Sequence, residues 1–219
     1  MIENGKLMTE SGVQVSVLPF QDLYITQNAN GSLTHQGTKN TDNASRSTRR
    51  KLFAPVDVKC VRNISGDGLG LVLYHSINKV LLPTGEIDYI SMWLMHDNTS
   101  EQFTVGTIYP QGTHIYTEGN RDSSGASTGI HVHVECAKGL HTDRVSKAPN
   151  GRYEIVNSSY IDDLFFVNMT DIMREYDTTY GGYQGYNWRT YDGGVTPPEP
   201  SGANNLYHLM LTKALPGFF

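Results

Sequence analysis

His131-Val132-His133, with Glu135 two positions on and the glycine-rich run Ser123-Ser124-Gly125-Ala126-Ser127-Thr128-Gly129 just before, is where this sequence most plainly offers chemistry. Side chains alternate faces along a strand, so a strand here sets both imidazoles side by side with Glu135 next in line. Two imidazoles on one face can hold a metal, or one can hold it while the other moves protons. Zinc takes imidazole nitrogens and carboxylate oxygens at about 2.0 to 2.2 Å, and a catalytic zinc usually has three protein ligands and an open position for water. The remaining donors must therefore come from elsewhere. His35 and Asp42, at the two ends of His35-Gln36-Gly37-Thr38-Lys39-Asn40-Thr41-Asp42, supply a histidine and a carboxylate on what reads as a polar loop, reached through the strand-like Leu23-Tyr24-Ile25-Thr26. His96, in Trp93-Leu94-Met95-His96-Asp97, is a further candidate. His75, His114, His141 and His208 read as surface or hydrogen-bonded structural histidines. Of these, His75 closes the apolar run Leu71-Val72-Leu73-Tyr74 and is placed toward the cleft, though not as a ligand.

Short β-rich runs must position these residues. Residues 13–18, 56–63, 69–75, 89–95, 114–117 and 130–137 are apolar or alternating and are bounded by Gly, Asn, Asp or Pro. They predict a mainly β chain, a β-rich α+β arrangement with a single antiparallel sheet, long loops and one short helix. Gly66-Asp67-Gly68-Leu69-Gly70 has the look of a phosphate loop, but no helical pattern follows it, so it is expected to be a hairpin turn. The helix is expected within residues 158–166, with Ser159 as cap and Ile161, Leu164 and Phe165 three and four apart.

With 219 residues the chain can bury one sizeable core. The net charge is −5 and no basic patch dominates, so the electrostatic signature of nucleic-acid binding is absent. The cluster Arg46-Ser47-Thr48-Arg49-Arg50-Lys51 is the exception and reads as a solvated loop suited to an anionic polymer. Cys60 and Cys136 each sit in an apolar run and are expected to be buried free thiols. No run of about 18 apolar residues suggests a membrane span, and the amino-terminal residues do not form a secretory signal.

The order His35-x-Gly37 with Asp42 downstream, a histidine after a mixed apolar strand, and Ser127-Thr128-Gly129-Ile130-His131-Val132-His133-Val134-Glu135 resembles the lysostaphin-type zinc endopeptidases that cut bacterial peptidoglycan. Residues 19–27, Phe53-Ala54-Pro55-Val56-Asp57 and residues 105–120 resemble other parts of that family's core, so that the likeness covers about residues 16–139. The resemblance implies one zinc ion held by His35, Asp42 and His133, with His131 as general base and His96 donating to the oxyanion or orienting the water. Glu135 is then either a partner of a metal-bound histidine or a solvated strand residue. One departure stands out: the family spacing His-x-x-x-Asp falls on Lys39, which cannot be a ligand, so Asp42 needs a longer loop, as in variants at phage tail tips. Asn40 is the alternative ligand, although a neutral amide oxygen is the poorer partner for zinc.

The implied function is zinc-dependent hydrolysis of peptide bonds in peptidoglycan stem peptides or cross-bridges by a phage enzyme. Such an enzyme would sit in the virion tail or be released at lysis, with bacterial peptidoglycan and other phage tail proteins as partners. A catalytically inactive wall-binding or structural tail-tip module on the same fold is the alternative. The endopeptidase domain is expected over residues 1–176. Residues 177–219 form a Gly-, Tyr- and Pro-rich extension, whose aromatics either stack on sugars or pack on the enzyme.

Overall fold

The computed structural model describes residues 2–166 except 4–5, 10, 21–24, 28, 30–34, 45–48, 65, 67, 124–126, 128, 145, 148–150 and 152; residues 167–219, with the expected extension and His208, lie outside the described residues. The strands in chain order are β1 (Ile2–Glu3), β2 (Lys6–Leu7), β3 (Ile25–Gln27), β4 (Thr41–Asn43), β5 (Lys51–Phe53), β6 (Val58–Ile64), β7 (Leu71–Ser76), β8 (Val80–Leu81), β9 (Ile87–Asp88), β10 (Ile90–Met95), β11 (Ile108–Tyr109), β12 (His114–Thr117), β13 (Val132–Lys138), β14 (Ser146–Lys147) and β15 (Tyr153–Glu154). Seven of them form one antiparallel sheet in the order β11-β6-β7-β10-β13-β4-β3, and four two-stranded ribbons, β1-β2, β5-β12, β8-β9 and β14-β15, surround it. The expected antiparallel architecture is therefore observed. Among the described residues no helix is long and apolar enough to cross a membrane.

β7 and β10 are apolar on both faces because both faces are covered. Val72, Tyr74, Ile90, Met92 and Leu94 join Val58, Cys60, Val132, Val134 and Cys136 in the main core, roofed by Leu52, Ile115, Tyr116, Phe103, Leu164 and Phe165. Leu71, Leu73, Trp93, Met95 and Ala137 form a smaller cluster with Ile155 on the opposite face. Each fully buried side chain of this size contributes roughly 1.5 to 3 kcal/mol. β13 shows the consequence for function: Val132, Val134 and Cys136 enter the main core, so the intervening His133 and Glu135 must stand on the other face. Cys60 and Cys136 are buried and free, as expected.

Two expectations differ from the structure. Residues 13–18 make no continuous ladder; Gln14, Val15 and Val17 each bridge a different partner, Met8, Leu81 and Phe166. Their polar members are buried too, Gln14 donating to Asp57 at 3.3 Å and Ser16 donating to the Leu164 carbonyl, so the alternation Val-x-Val reflects a segment gripped on all sides. The helix is a single turn, α1 (Ile161–Leu164), capped by Tyr160 without a side-chain bond, not by Ser159. It stops because Phe165 is extended and buried, and because Phe166 donates its N–H to Ser16 O at 2.8 Å. The hairpin expected around Gly68 does connect the antiparallel pair β6 and β7.

Candidate metal centre

β13 is flanked by β10 and β4, and His133 lies opposite Met95 on one side and opposite Asp42 on the other. Asp42 is thus a strand residue of β4, which corrects its reading as part of a loop. The run looked like a loop because its neighbours are polar, yet Thr41 and Asn43 are buried and Asn43 Nδ2 donates to Thr41 Oγ1 at 3.0 Å. The longer stretch after His35 is taken up by a tight turn. Thr38 donates both its N–H and its hydroxyl to the His35 carbonyl at 3.1 Å, and Asn40 N–H donates to Thr38 Oγ1 at 3.3 Å. Lys39 is exposed, its ammonium 5.1 Å from the Tyr160 ring centroid. Asn40 is buried, and its side chain hydrogen-bonds Glu154.

The three expected ligands converge. Asp42 Oδ1 lies 2.9 Å from His133 Nδ1 and 3.3 Å from His35 Nε2, and the two nitrogens are 3.1 Å apart. Tetrahedral zinc with donors at about 2.0 to 2.1 Å sets them about 3.3 Å apart, so the donor set and its spacing fit that ion. A proton can pair two of these atoms, whereas a cation at their centre serves all three. His35 is fully buried, and the rings of His35 and His133 stand edge-on at 76°. Burial pushes the Asp42 carboxyl up, but the charge of His35 and the His133 and His35 hydrogen bonds outweigh it and hold the group well below the usual carboxylate range. Burial likewise pushes His133 down, and hydrogen bonds to Asp42 and Glu135 more than reverse this, raising it to about 9. Glu135 is fully buried, with Oε1 3.3 Å from His133 Nε2, so it is a partner of that histidine and not a solvated strand residue.

His131 and His96 lie beside the cluster. His131 Nε2 is 3.9 Å from Asp42 Oδ1, and the His96 and His131 ring centroids are 4.4 Å apart. His131 Nδ1 contacts the Gly129 carbonyl and His96 Nδ1 the Arg121 carbonyl, each at 2.9 Å. A carbonyl only accepts, so in both rings Nδ1 carries a proton, and the lone pair of the neutral ring is on Nε2. Burial and the neighbouring His131 push His96 down to about 4, which keeps it neutral at physiological pH. Its backbone is unusual: φ is +88°, a region that favours glycine. That bend is gripped by His96 N–H donating to Leu69 O at 2.7 Å and by Arg121 N–H donating to His96 O at 3.0 Å. Gly70 and Gly119 pack so closely against residues 96–98 that an added Cβ would strike the Asp97 carbonyl in one case and the His96 carbonyl in the other.

The other described histidines are elsewhere. His75 pairs with Ser91 at the far end of β10 and contacts Ser76 O at 2.9 Å, so it does not line the cleft. His114 packs on Phe103 and bonds Thr117, and His141 contacts Lys138 O. In the basic cluster, Arg49 is exposed, as a solvated loop requires, yet it is also tied down: its Nε donates to Glu118 O at 2.6 Å and its Nη2 approaches the buried Asp97 at 3.4 Å. Residues missed in the sequence are Arg121, whose backbone orients His96, and Arg144, which pairs with Glu135. Neither carries a motif.

No protein-family model matches the chain. Morphogenesis protein 1 of Bacillus phage B103 is 27% identical over 217 residues, a match that takes in 95% of this chain and 55% of that protein. The chain thus spans about half the length of the curated relative it matches. Among solved structures, the catalytic domain of lysostaphin from Staphylococcus simulans aligns with a TM-score of 0.35 at 17% identity, covering 54% of this chain and 80% of that one. Intact lysostaphin gives 0.39 at 15%, covering 61% and 50%. A zinc-containing peptidase from Vibrio cholerae gives 0.37 at 14%, covering 62% and 41%.

Proposed function

We propose that this chain is a zinc-dependent endopeptidase that hydrolyses peptide bonds in bacterial peptidoglycan and is phage-encoded. The observation that carries the reading is the convergence of His35, Asp42 and His133 donor atoms within 2.9 to 3.3 Å, with two non-ligating imidazoles beside them. The substrate class rests on the motif resemblance, and the phage origin is supported by the similarity to a phage protein.

When bound, zinc polarises the scissile carbonyl and acidifies the attacking water. His131, with Nδ1–H held by the Gly129 carbonyl, offers the Nε2 lone pair to the proton of that water and returns the proton to the leaving amine. His96, neutral and protonated on Nδ1, accepts a hydrogen bond at Nε2 and orients the water; donation to an oxyanion does not suit this tautomer. Glu135 holds the far nitrogen of His133.

The test is digestion of purified walls of several cross-link types, with released fragments identified by mass spectrometry. Exhaustive chelation should abolish release and zinc should restore it; undiminished release without metal refutes the reading. A purely structural role in virion assembly is the second reading, favoured by the name of the phage relative. Walls left intact by the zinc-loaded chain would select it.

A further inference from the structure

Behind the cluster lies a polar layer of which only Glu135 belongs to the sequence motif. A carboxylate without exposure is stable only when charge and hydrogen bonds compensate it, and Glu135 has both. Its Oε1 contacts His133 Nε2 at 3.3 Å and Arg144 Nη2; its Oε2 accepts from Arg144 Nε at 3.1 Å and from Ile155 N–H at 2.9 Å. Guanidinium and amide N–H groups can only donate, and a carboxylate has about four lone-pair sites. The arithmetic leaves Glu135 as acceptor throughout, so His133 Nε2 is the donor.

We propose that Arg144 and Glu135 form a positioning pair for the metal centre. The Arg144 fork fixes the Glu135 carboxylate where it takes the Nε2–H of His133, which leaves Nδ1 as the ring's metal-facing lone pair, aimed at His35 and Asp42. This rests on the metal reading of the cluster. A planar two-point grip sets the tilt of a carboxylate, which a single ammonium cannot do. The neighbouring Asp143 pairs with Arg62 through Oδ2 at 2.5 Å and accepts the Arg144 backbone N–H through Oδ1 at 2.8 Å, while the Arg144 guanidinium fork is on Glu135. Arg144 and Ile155 both lie beyond Gly139, where the motif resemblance ends. The segment that follows the catalytic strand is therefore part of the site's support, not an appendage.

The test uses the full chain, with zinc affinity read by competition against a chromophoric chelator, ligand geometry by visible absorption of the Co(II)-loaded protein, and folding by the melting temperature without metal. Arg144→Gln and Glu135→Gln should each weaken zinc binding by roughly 10- to 100-fold and alter the Co(II) spectrum. Arg144→Lys should recover only part of the loss. The double variant should bind zinc no more weakly than Glu135→Gln alone, because both residues act through one carboxylate. Zinc affinity within about twofold of the unaltered chain and an unchanged Co(II) spectrum in Arg144→Gln, whatever its melting temperature, would overturn the proposal. If Arg144→Gln does not fold, Arg144→Lys decides on the same two readouts, an unchanged result again overturning it. Failure of the unaltered chain to bind zinc would instead overturn the metal reading itself.

Discussion

His96 and His131 lie ring against ring, their planes tilted by 43°, and each is held at Nδ1 by a backbone carbonyl. The two rings thus present like nitrogens beside a cluster they do not enter, while His133, two residues from His131 on the same face, turns its Nδ1 into that cluster. In the proposed mechanism one strand would carry both a donor to the metal and a carrier of protons.

That division of labour predicts unequal mutants. His133→Ala should lose both zinc and wall hydrolysis, whereas His131→Ala should keep near-stoichiometric zinc while activity falls by roughly 10²-fold or more, the scale of a lost general base. Metal analysis of the purified variants beside their rates checks this. Equal zinc loss in both would reverse the roles.

Asp42 and Asn40 separate the two ways of aligning the loop after His35. Asp42 Oδ1 meets both histidines, while the Asn40 side chain reaches Glu154. Asp42→Asn should weaken zinc binding by about 10-fold or more, and Asn40→Ala should change it by less than about threefold. Calorimetric titration that returned the opposite order would move the ligand to Asn40.

Gly119 is predicted to be intolerant of a single methyl group. Its backbone pairs with His131 in both directions, at 3.0 and 2.9 Å, and a Cβ would strike the His96 carbonyl. Gly119→Ala should therefore displace the His96 bend and lower activity by about 10-fold or more while zinc stoichiometry stays at that of the unaltered chain. Full activity in this variant would show that the bend relaxes freely.

Away from the site, Asp57 ties the amino-terminal ribbon to the core. Burial pushes its carboxyl up, but the Lys6 ammonium, the Gln111 N–H at 3.0 Å and Gln14 outweigh it and hold the group below its ordinary value. A depressed carboxylate contributes stability that is complete above the unfolded value of about 3.9 and lost as pH falls through the folded value. Lys6→Ala should cost about 1 kcal/mol near neutral pH, with the gap between variant and unaltered chain closing below about pH 4. Urea unfolding at the two pH values checks it, and a gap that is constant or widens in acid contradicts it.

The sequence made some of this legible for physical reasons. Strand alternation is local, so His131-Val132-His133 disclosed which side chains share a face. The apolar runs of β7 and β10 likewise announced strands, and the structure adds that both of their faces are covered. Asp42 could be found as the carboxylate following His35, but not its strand, since Thr41 and Asn43 are buried through hydrogen bonds that mimic a loop's composition. The left-handed backbone at His96 leaves no mark in residue type. Arg144 in His141-Thr142-Asp143-Arg144 resembles any surface arginine until the chain folds it onto Glu135. The segment 13–18 misled because its alternation is real while its neighbours change at every step.

The order of the large sheet puts the cluster across a particular seam. β4 meets β13 at three register pairs, Val132 with Asn43, His133 with Asp42 and Val134 with Thr41, and among the described residues only β3 lies outside it. An ion shared by His133 on one side and by His35 and Asp42 on the other would rivet this margin, adding its binding free energy at a ladder of three register pairs. Stripping the ion should then unzip the border before the interior: amide protons of Thr41, Asp42 and Asn43 would exchange faster, while those of β7 and β10 stay slow. A metal site built this way would double as a latch on the sheet, and a chain stripped of zinc would be open to proteolysis at one rim before the interior unfolds.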